Sequence, residues 1–379
     1  MIYLDNSATT QPDPEVLASF EQVAREFFAN PSSIHQFGGK AEQLLHAARK
    51  QVADSLKVEP AEIVFTSGGT EGNNMAIKGI ALEHQDRGRH IITSEVEHPA
   101  VYEACQSLEK LGFNITYLPV DENGTVSAAN VKRAIRPDTI LITLMHVNNE
   151  IGSVMPIREV GNIAKQHPKL FFHVDDVQGL GKMPLTLKNS GIDLCTYSGH
   201  KIHGMKGTGI LYVDKRTRLF PLMHGGEQER ALRSGTENLA GAVAMAKALR
   251  LIKQKETDQA KRLQGMQDYL RSELAKLPGV EINSPADAAP HIINFSVPGV
   301  KPEVIIHMLG EKEIFISTKS ACSSKQKDES KVLAACGFES SRSTSGLRVS
   351  LSYENTQAEL ETFIQALSEA IQQFKEVMR

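Results

Sequence analysis

No stretch of about 18 uninterrupted apolar residues occurs in the chain, so none of it reads as a membrane-spanning helix. The opening, MIYLDNSATT, lacks a basic leader, and Asp5 interrupts its short apolar run, so it does not read as a signal peptide. Cysteine is scarce: Cys105, Cys195, Cys322 and Cys336 form no CxxC pair and have no metal-ligand spacing. That excludes a disulfide framework and a zinc-ribbon site, and it fits a reducing, cytoplasmic compartment. Neither sign of charge dominates: 42 basic residues face 45 acidic ones, a net charge of -3. There is therefore no global pull toward nucleic acid or acidic membrane surfaces. Internal repeats, low-complexity tracts, a GxGxxG turn and a Walker A loop are all missing, which counts against dinucleotide and ATP sites. What remains is an ordinary soluble composition, 41% hydrophobic and 23% charged, in 379 residues, enough for two or three domains.

Apolar runs alternate with helix-like stretches through the middle of the chain. The runs are Ile63 to Phe65, His90 to Ile92, Ile140 to Met145, Leu170 to Val174, Asp193 to Tyr197 and Gly209 to Val213. Several lack polar alternation, as strands buried on both faces do. Thr70 to Leu82 and Pro99 to Leu111 read as helices between them. This order predicts an α/β fold with a mainly parallel sheet covered by helices on both faces. After about residue 250 the pattern changes. Gln259 to Lys276 reads as an amphipathic helix, His291 to Val297 as a strand, and a last helix starts near Gln357 behind a Thr356–Glu359 capping box. The expected division is a large domain over 14–255 and a smaller α+β domain made of 1–13 and 256–379.

The polar motifs fall just after the apolar runs, at the sheet edge where ligands bind in such folds. SGHK, Ser198 to Lys201, places a lysine there that can form a Schiff base with an aldehyde cofactor. HVDDVQ, His173 to Gln178, offers a carboxylate for a pyridinium nitrogen and an amide for a phenolic oxygen. SGGTEGNN, Ser67 to Asn74, opens a helix whose free amides, with Thr70, can hold a phosphate. His98 in EVEHPA can stack on a flat cofactor and move protons. Asn149 in MHVNNEIG ends a very apolar strand. Cys322 in KSACSSKQK has Lys319, Lys325 and Lys327 around it and little apolar cover, a setting that favours thiolate. Taken singly, each has a plainer reading: a solvated lysine, capping aspartates and asparagines, a glycine turn, a lone histidine, an incidental loop cysteine.

Taken in order with MHGGEQERALRSGTEN, these motifs resemble the NifS/IscS-like cysteine desulfurases, a class V branch of the aspartate-aminotransferase fold (fold type I). The resemblance runs from Leu4 to Arg348. It implies pyridoxal 5'-phosphate as cofactor, Lys201 as the Schiff-base lysine, Asp175 as the pyridinium partner and Gln178 as the phenolic-oxygen contact. It further implies His98 stacked on the ring, Asn149 as a cofactor contact, and Thr70, Ser198 and His200 as phosphate ligands. Thr236 corresponds to a phosphate contact that the family supplies from a second subunit, which implies a homodimer. Arg348 corresponds to the arginine for the substrate carboxylate. Cys322 corresponds to the cysteine that takes sulfur from L-cysteine as a persulfide and hands it to a protein acceptor, an iron-sulfur scaffold or a tRNA-thiolation enzyme. No metal, membrane or direct nucleic-acid contact is implied. A selenocysteine lyase or class V aminotransferase shares most of these residues, and a non-catalytic scaffold for sulfur-transfer partners is the remaining alternative.

Two features depart from, or add to, that pattern. The family usually has a small residue where this chain has Asp176; alternation along a strand turns it away from Asp175. Cys336, in KVLAACGF, reads as a buried helix end with Gly337 as its cap rather than as a resolving thiol. Cys105 and Cys195 read as small buried hydrophobes.

Overall fold

The computed structural model describes residues 1–318 and 329–377. Cys322 and its neighbouring lysines Lys319, Lys325 and Lys327 lie outside the described residues. A seven-stranded sheet organises the chain, in the order Ile63–Thr66, Gly209–Val213, Leu194–Ser198, Phe171–Asp175, Thr139–Met145, His90–Ser94 and Asn114–Leu118. Only Gly209–Val213 runs against its neighbours. Six of these strands are the six apolar runs of the sequence. The seventh, Asn114–Leu118, is the edge strand NITYL, partly exposed and too polar to give an apolar run.

Consecutive strand residues divide between two cores, which is why the strands lack polar alternation. Val64, Ile91, Leu141, Leu194 and Leu211 pack into one core with the helices Gly69–Glu83 and Pro99–Glu109. Ile63, Ile92, Ile142, Cys195 and Ile210 face the other, with residues of Gln36–Leu56, Ile157–Ala164 and Leu239–Lys276. Burying such side chains contributes roughly 1.5–3 kcal/mol each, against the conformational entropy of ordering them.

The amphipathic pattern expected over Gln259 to Lys276 is the second half of one 38-residue helix, Leu239–Lys276. Asn238 caps its start by accepting from the Gly241 amide at 2.9 Å, and no proline interrupts it. The boundary expected at residue 255 thus falls inside this helix. Beyond it, Ile292–Ser296 is the centre of a three-stranded antiparallel sheet between Gly346–Ser350 and Glu281–Ile282. The last helix, Gln357–Val377, has the expected capping box: Thr356 donates its amide to Glu359 at 2.9 Å, and Glu359 returns one to the Thr356 hydroxyl at 3.3 Å. In the described part of the stretch after Cys322, Lys331–Ala335 and Ser340–Ser343 are short helices, the first ending at Cys336 as its sequence suggested. No helix among the described residues is long and apolar enough to cross a membrane, and no group of them could hold a metal ion.

Two histidines lie wholly inside this frame. His173 bonds the hydroxyls of Thr143 (2.8 Å) and Thr196 (2.9 Å), and His90 those of Thr139 and Thr116 (both 2.7 Å). Burial pushes His173 down to about 3 and His90 down to about 4. Both folded values lie below the unfolded one, so below about pH 6.5 the unfolded chain takes up protons that the folded chain refuses. Their contribution is therefore present above that pH and lost as pH falls toward their folded values. Melting temperature measured against pH is expected to hold through neutrality and drop below about pH 6, and a flat profile down to about pH 4 would exclude this coupling.

Candidate active site

At the carboxyl ends of the parallel strands the chain encloses a cavity of about 740 Å³ of non-atom space, open on one side to solvent. Thr70, His98, Asn149, Asp175, Gln178, Ser198, His200, Lys201 and Arg348 all line it. Most of these residues meet there because they stand at or after the end of a strand of the large sheet: Asp175 closes Phe171–Asp175, Ser198 closes Leu194–Ser198, and Lys201 completes the single turn Gly199–Lys201, while Arg348 enters from within Gly346–Ser350 of the smaller sheet.

Asp175 is 5% exposed. It accepts from the Asn73 amide at 2.7 Å and from the Val177 backbone at 3.1 Å, so its carboxylate is fixed in direction. Asp176 turns away from the cavity and bonds His146 Nδ1 at 2.6 Å. Burial pushes the Asp176 carboxyl up, and His146 opposes that shift. The two neighbouring carboxylates therefore serve opposite faces of the sheet.

His98 has two roles at once. It caps Pro99–Glu109, its Nδ1 accepting from the Ala100 amide at 3.1 Å, and its ring faces the cavity. Burial holds it below its usual value, with Asp175 opposing. With Nδ1 accepting, the proton of the neutral ring sits on Nε2. His200 Nδ1 lies 3.2 Å from the Thr9 hydroxyl, and burial, then the Lys201 charge, push it down to about 4.

The helix Gly69–Glu83 starts at the cavity with no side-chain cap, so its first amides remain available to an anion. Gly68, at φ 151°, makes the turn into it, and a Cβ on Gly69 would stand 2.9 Å from Val177. Thr70, Ser198, His200 and Lys206 surround a more open lobe at this end. Buried atoms without partners adjoin the cavity: Gln178 Oε1, Asn73 Oδ1 and Ser7 Oγ. This donor set fits pyridoxal phosphate. An uncapped helix start suits the phosphate, a fixed carboxylate suits the ring nitrogen, an imidazole faces the ring position, and Lys201 supplies an amine.

Arg348 is 1% exposed although it carries a full charge. It donates to the Asn149 carbonyl at 2.7 Å and to the Asp5 carboxylate at 2.9 Å, while its Nε is buried without a partner. Two guanidinium nitrogens are thus fixed, and a donor is left for a carboxylate.

The structure adds residues that the motif reading passed over. Asn73 lies inside SGGTEGNN, yet nothing in the sequence shows that it meets Asp175. Asp5, Ser7 and Ala8 lie in the opening LDNSATT, which served only as the start of the resemblance. The carbonyls of Ser7 and Ala8 accept from the Lys201 amine, the latter at 2.9 Å, and the Gln178 amide donates to Ser7 at 3.0 Å. Thr236 is not brought to this cavity. It lines a neighbouring one with Glu229 and Arg233, across Ser67 and Gly207.

Both chain ends beside Cys322 are tied close to the cavity. Ser317 and Arg348 exchange backbone hydrogen bonds of 3.2 and 2.7 Å, and the Ser330 hydroxyl donates to Glu150, next to Asn149. The other three cysteines are buried. Burial pushes the Cys336 thiol up to about 12 and raises those of Cys105 and Cys195 as well. Gly337, at φ 82°, follows Cys336 where its helix ends.

The family model described as aminotransferase class-V matches residues 2–363. A NifS/IcsS protein homolog of Lactobacillus delbrueckii subsp. bulgaricus is 47% identical over 380 residues, 100% of this chain and 99% of that one. The cysteine desulfurase IscS of Methanosarcina thermophila is 42% identical, over 99% of this chain and 93% of its own. Among solved structures, a NifS-like protein superposes with a TM-score of 0.92 at 35% identity, covering 98% of this chain and 99% of its own.

Proposed function

The chain belongs to the class V aminotransferase family, in its NifS/IscS cysteine desulfurase branch, and on that premise we propose that it converts L-cysteine to L-alanine and leaves the sulfur on Cys322 as a persulfide. The observation that carries this reading is the convergence of Lys201, Asp175, His98 and Arg348 on one cavity, with both flanks of the Cys322 segment tied beside it.

The cofactor is pyridoxal 5'-phosphate, which when bound supplies an electron sink that loosens the substrate's α-hydrogen and carbon–sulfur bond. The residues of this chain do the rest. The amides at the start of Gly69–Glu83, with Thr70, Ser198 and His200, take the phosphate. Asp175, aligned by Asn73, holds a proton at the ring nitrogen. Gln178 and Asn149, which line the same cavity, would hold the ring substituents, and His98 would support the ring. Lys201 takes the α-proton and returns one, as a general acid–base. Arg348 binds the substrate carboxylate. The Cys322 thiolate attacks the substrate sulfur; a sulfur–sulfur bond forms, the carbon–sulfur bond breaks with its electron pair left to carbon, and protonated carbon departs as alanine.

A homodimer is part of the proposal. Thr236 lines a cavity separate from that of Lys201, which suits a residue that serves a partner's phosphate site. Exposed Phe28, Ile34, Phe220 and Met223 are apolar surface available for such a contact. The persulfide then passes to a protein acceptor for iron-sulfur assembly or tRNA thiolation, with nucleic acid reached only through that acceptor.

The test is turnover of L-cysteine by the purified holoenzyme with a thiol reductant, counting alanine and sulfide. Equal amounts support the desulfurase; cofactor binding without alanine would leave the fold and remove the sulfur chemistry. Arg348 gives a sharper check. Arg348→Lys keeps a charge for half-buried Asp5 but loses the planar fork. It is expected to raise KM for cysteine roughly tenfold or more with kcat little changed, from the initial-rate dependence on cysteine. An unchanged KM would remove Arg348 from substrate binding.

A further inference from the structure

A second lysine reaches the turn that carries Lys201. Lys182 is 6% exposed, and its ammonium donates to the Lys201 backbone carbonyl at 2.9 Å. It does not line the cavity. Lysines are seldom buried, because an ammonium loses its hydration there unless something compensates. Burial pushes the Lys182 ammonium down to about 8, and Asp176, 1% exposed and bonded to His146, opposes that shift without cancelling it. Asp176 is the residue that departs from the small side chain usual in the family, and it has no place in the cavity.

Every carbonyl of the Gly199–Lys201 turn is held. Gly199 accepts from the amides of Ile202 (3.0 Å) and Gly204 (2.9 Å). His200 accepts from the amide and hydroxyl of Thr10, at 2.8 and 3.0 Å. Those donors are neutral; only the Lys201 carbonyl is held by a charge, which makes the stronger bond. We propose that Lys182 is a positioning residue for Lys201, its ammonium anchoring the carbonyl of the residue whose amine moves the proton. The proposal rests on the reading of Lys201 given above.

Charge adds to position. The groups that face Lys182 are Asp176, His200, Lys201, His203 and His291. Burial holds these three histidines below their usual values, so they stay uncharged at neutral pH. The Lys182 ammonium therefore adds a positive charge beside Lys201, opposed by Asp176 and by Asp5, and a neighbouring positive charge favours the neutral amine that a base needs.

The experiment compares the wild-type holoenzyme with Lys182→Met, which keeps bulk without a donor, and Lys182→Gln, which keeps a donor without charge. Steady-state kcat and KM are read beside the pH midpoint of the bound cofactor's absorbance, which needs no turnover. For Lys182→Met the expected result is retained cofactor, KM within about threefold, and kcat down roughly tenfold to a hundredfold. The absorbance midpoint should rise by about one pH unit, since removal of a nearby positive charge favours the protonated form. Lys182→Gln should recover part of kcat but not the midpoint. If both variants lose kcat alike with the midpoint unmoved, Lys182 only packs, and the proposal is overturned; wild-type values in Lys182→Met overturn it as well. Should Lys182→Met fail to fold, the midpoint of Lys182→Gln decides alone. If the wild type itself shows no cofactor absorbance, the reading of Lys201 fails first, and the role of Lys182 with it.

Discussion

Cys322→Ala is expected to reduce formation of alanine and sulfide from L-cysteine by roughly a thousandfold or more, while pyridoxal phosphate stays bound. The size of the effect follows from the lack of a substitute. A nucleophile must be a thiolate, and the three other cysteines are buried in surroundings that raise their thiols, Cys336 to about 12 and Cys105 and Cys195 well above the usual thiol range. None of them can serve at neutral pH. Cys322 lies in a basic, polar segment whose flanks are tied at Ser317 to Arg348 and at Ser330 to Glu150, on the rim of the site. The variant should still exchange the α-hydrogen of cysteine with deuterium from heavy water, because that step belongs to Lys201. Exchange without alanine, read by mass spectrometry, would separate the sulfur step from the proton step. Undiminished alanine formation would remove Cys322 from the mechanism.

Lys201→Ala is expected to lose both steps. Its amine is the one in the cavity that neighbours Asp175, His98 and Arg348, and the carbonyls of Ser7 and Ala8 aim it there. Removal of a positioned acid–base lowers rate by roughly a hundredfold to ten-thousandfold, and α-deuterium exchange should fall with alanine formation. Borohydride treatment of the holoenzyme should label the wild-type chain at residue 201 and leave the variant unlabelled. If Lys201→Ala exchanged deuterium at the wild-type rate, another base would be at work. The pair of variants therefore gives two distinct patterns, one losing sulfur transfer alone and the other losing both.

The sequence by itself determined the layered α/β architecture and most of the cavity wall. Unbroken apolar runs require burial on two faces, and only a helix-covered sheet provides that. Ile63 and Val64, or Leu194 and Cys195, could be assigned to opposite cores from that rule alone. Strand ends followed at once by polar motifs located Thr70, Asp175, Ser198 and Lys201, because chain order and strand direction place such residues on one edge. Local patterns also gave the Thr356–Glu359 cap and the end of the Cys336 helix. The edge strand Asn114–Leu118 left no such trace, since an edge strand need not be apolar, and the single helix Leu239–Lys276 hid behind a change in its exposed face.

Only the tertiary structure decided the contacts between distant segments. That Asn73 aims Asp175, that Asp5 shares Arg348 from the far end of the chain, and that Ser7 and Ala8 meet Lys201 depend on how loops from different strands come together. Periodicity records which face of an element is buried; it carries no information on which polar side chain waits on the other side of the fold. Lys182 is the clearest case. In sequence it is an unremarked lysine after a glycine, and its burial beneath the Lys201 turn, with Asp176 as counter-charge, exists only once the two strand ends lie side by side.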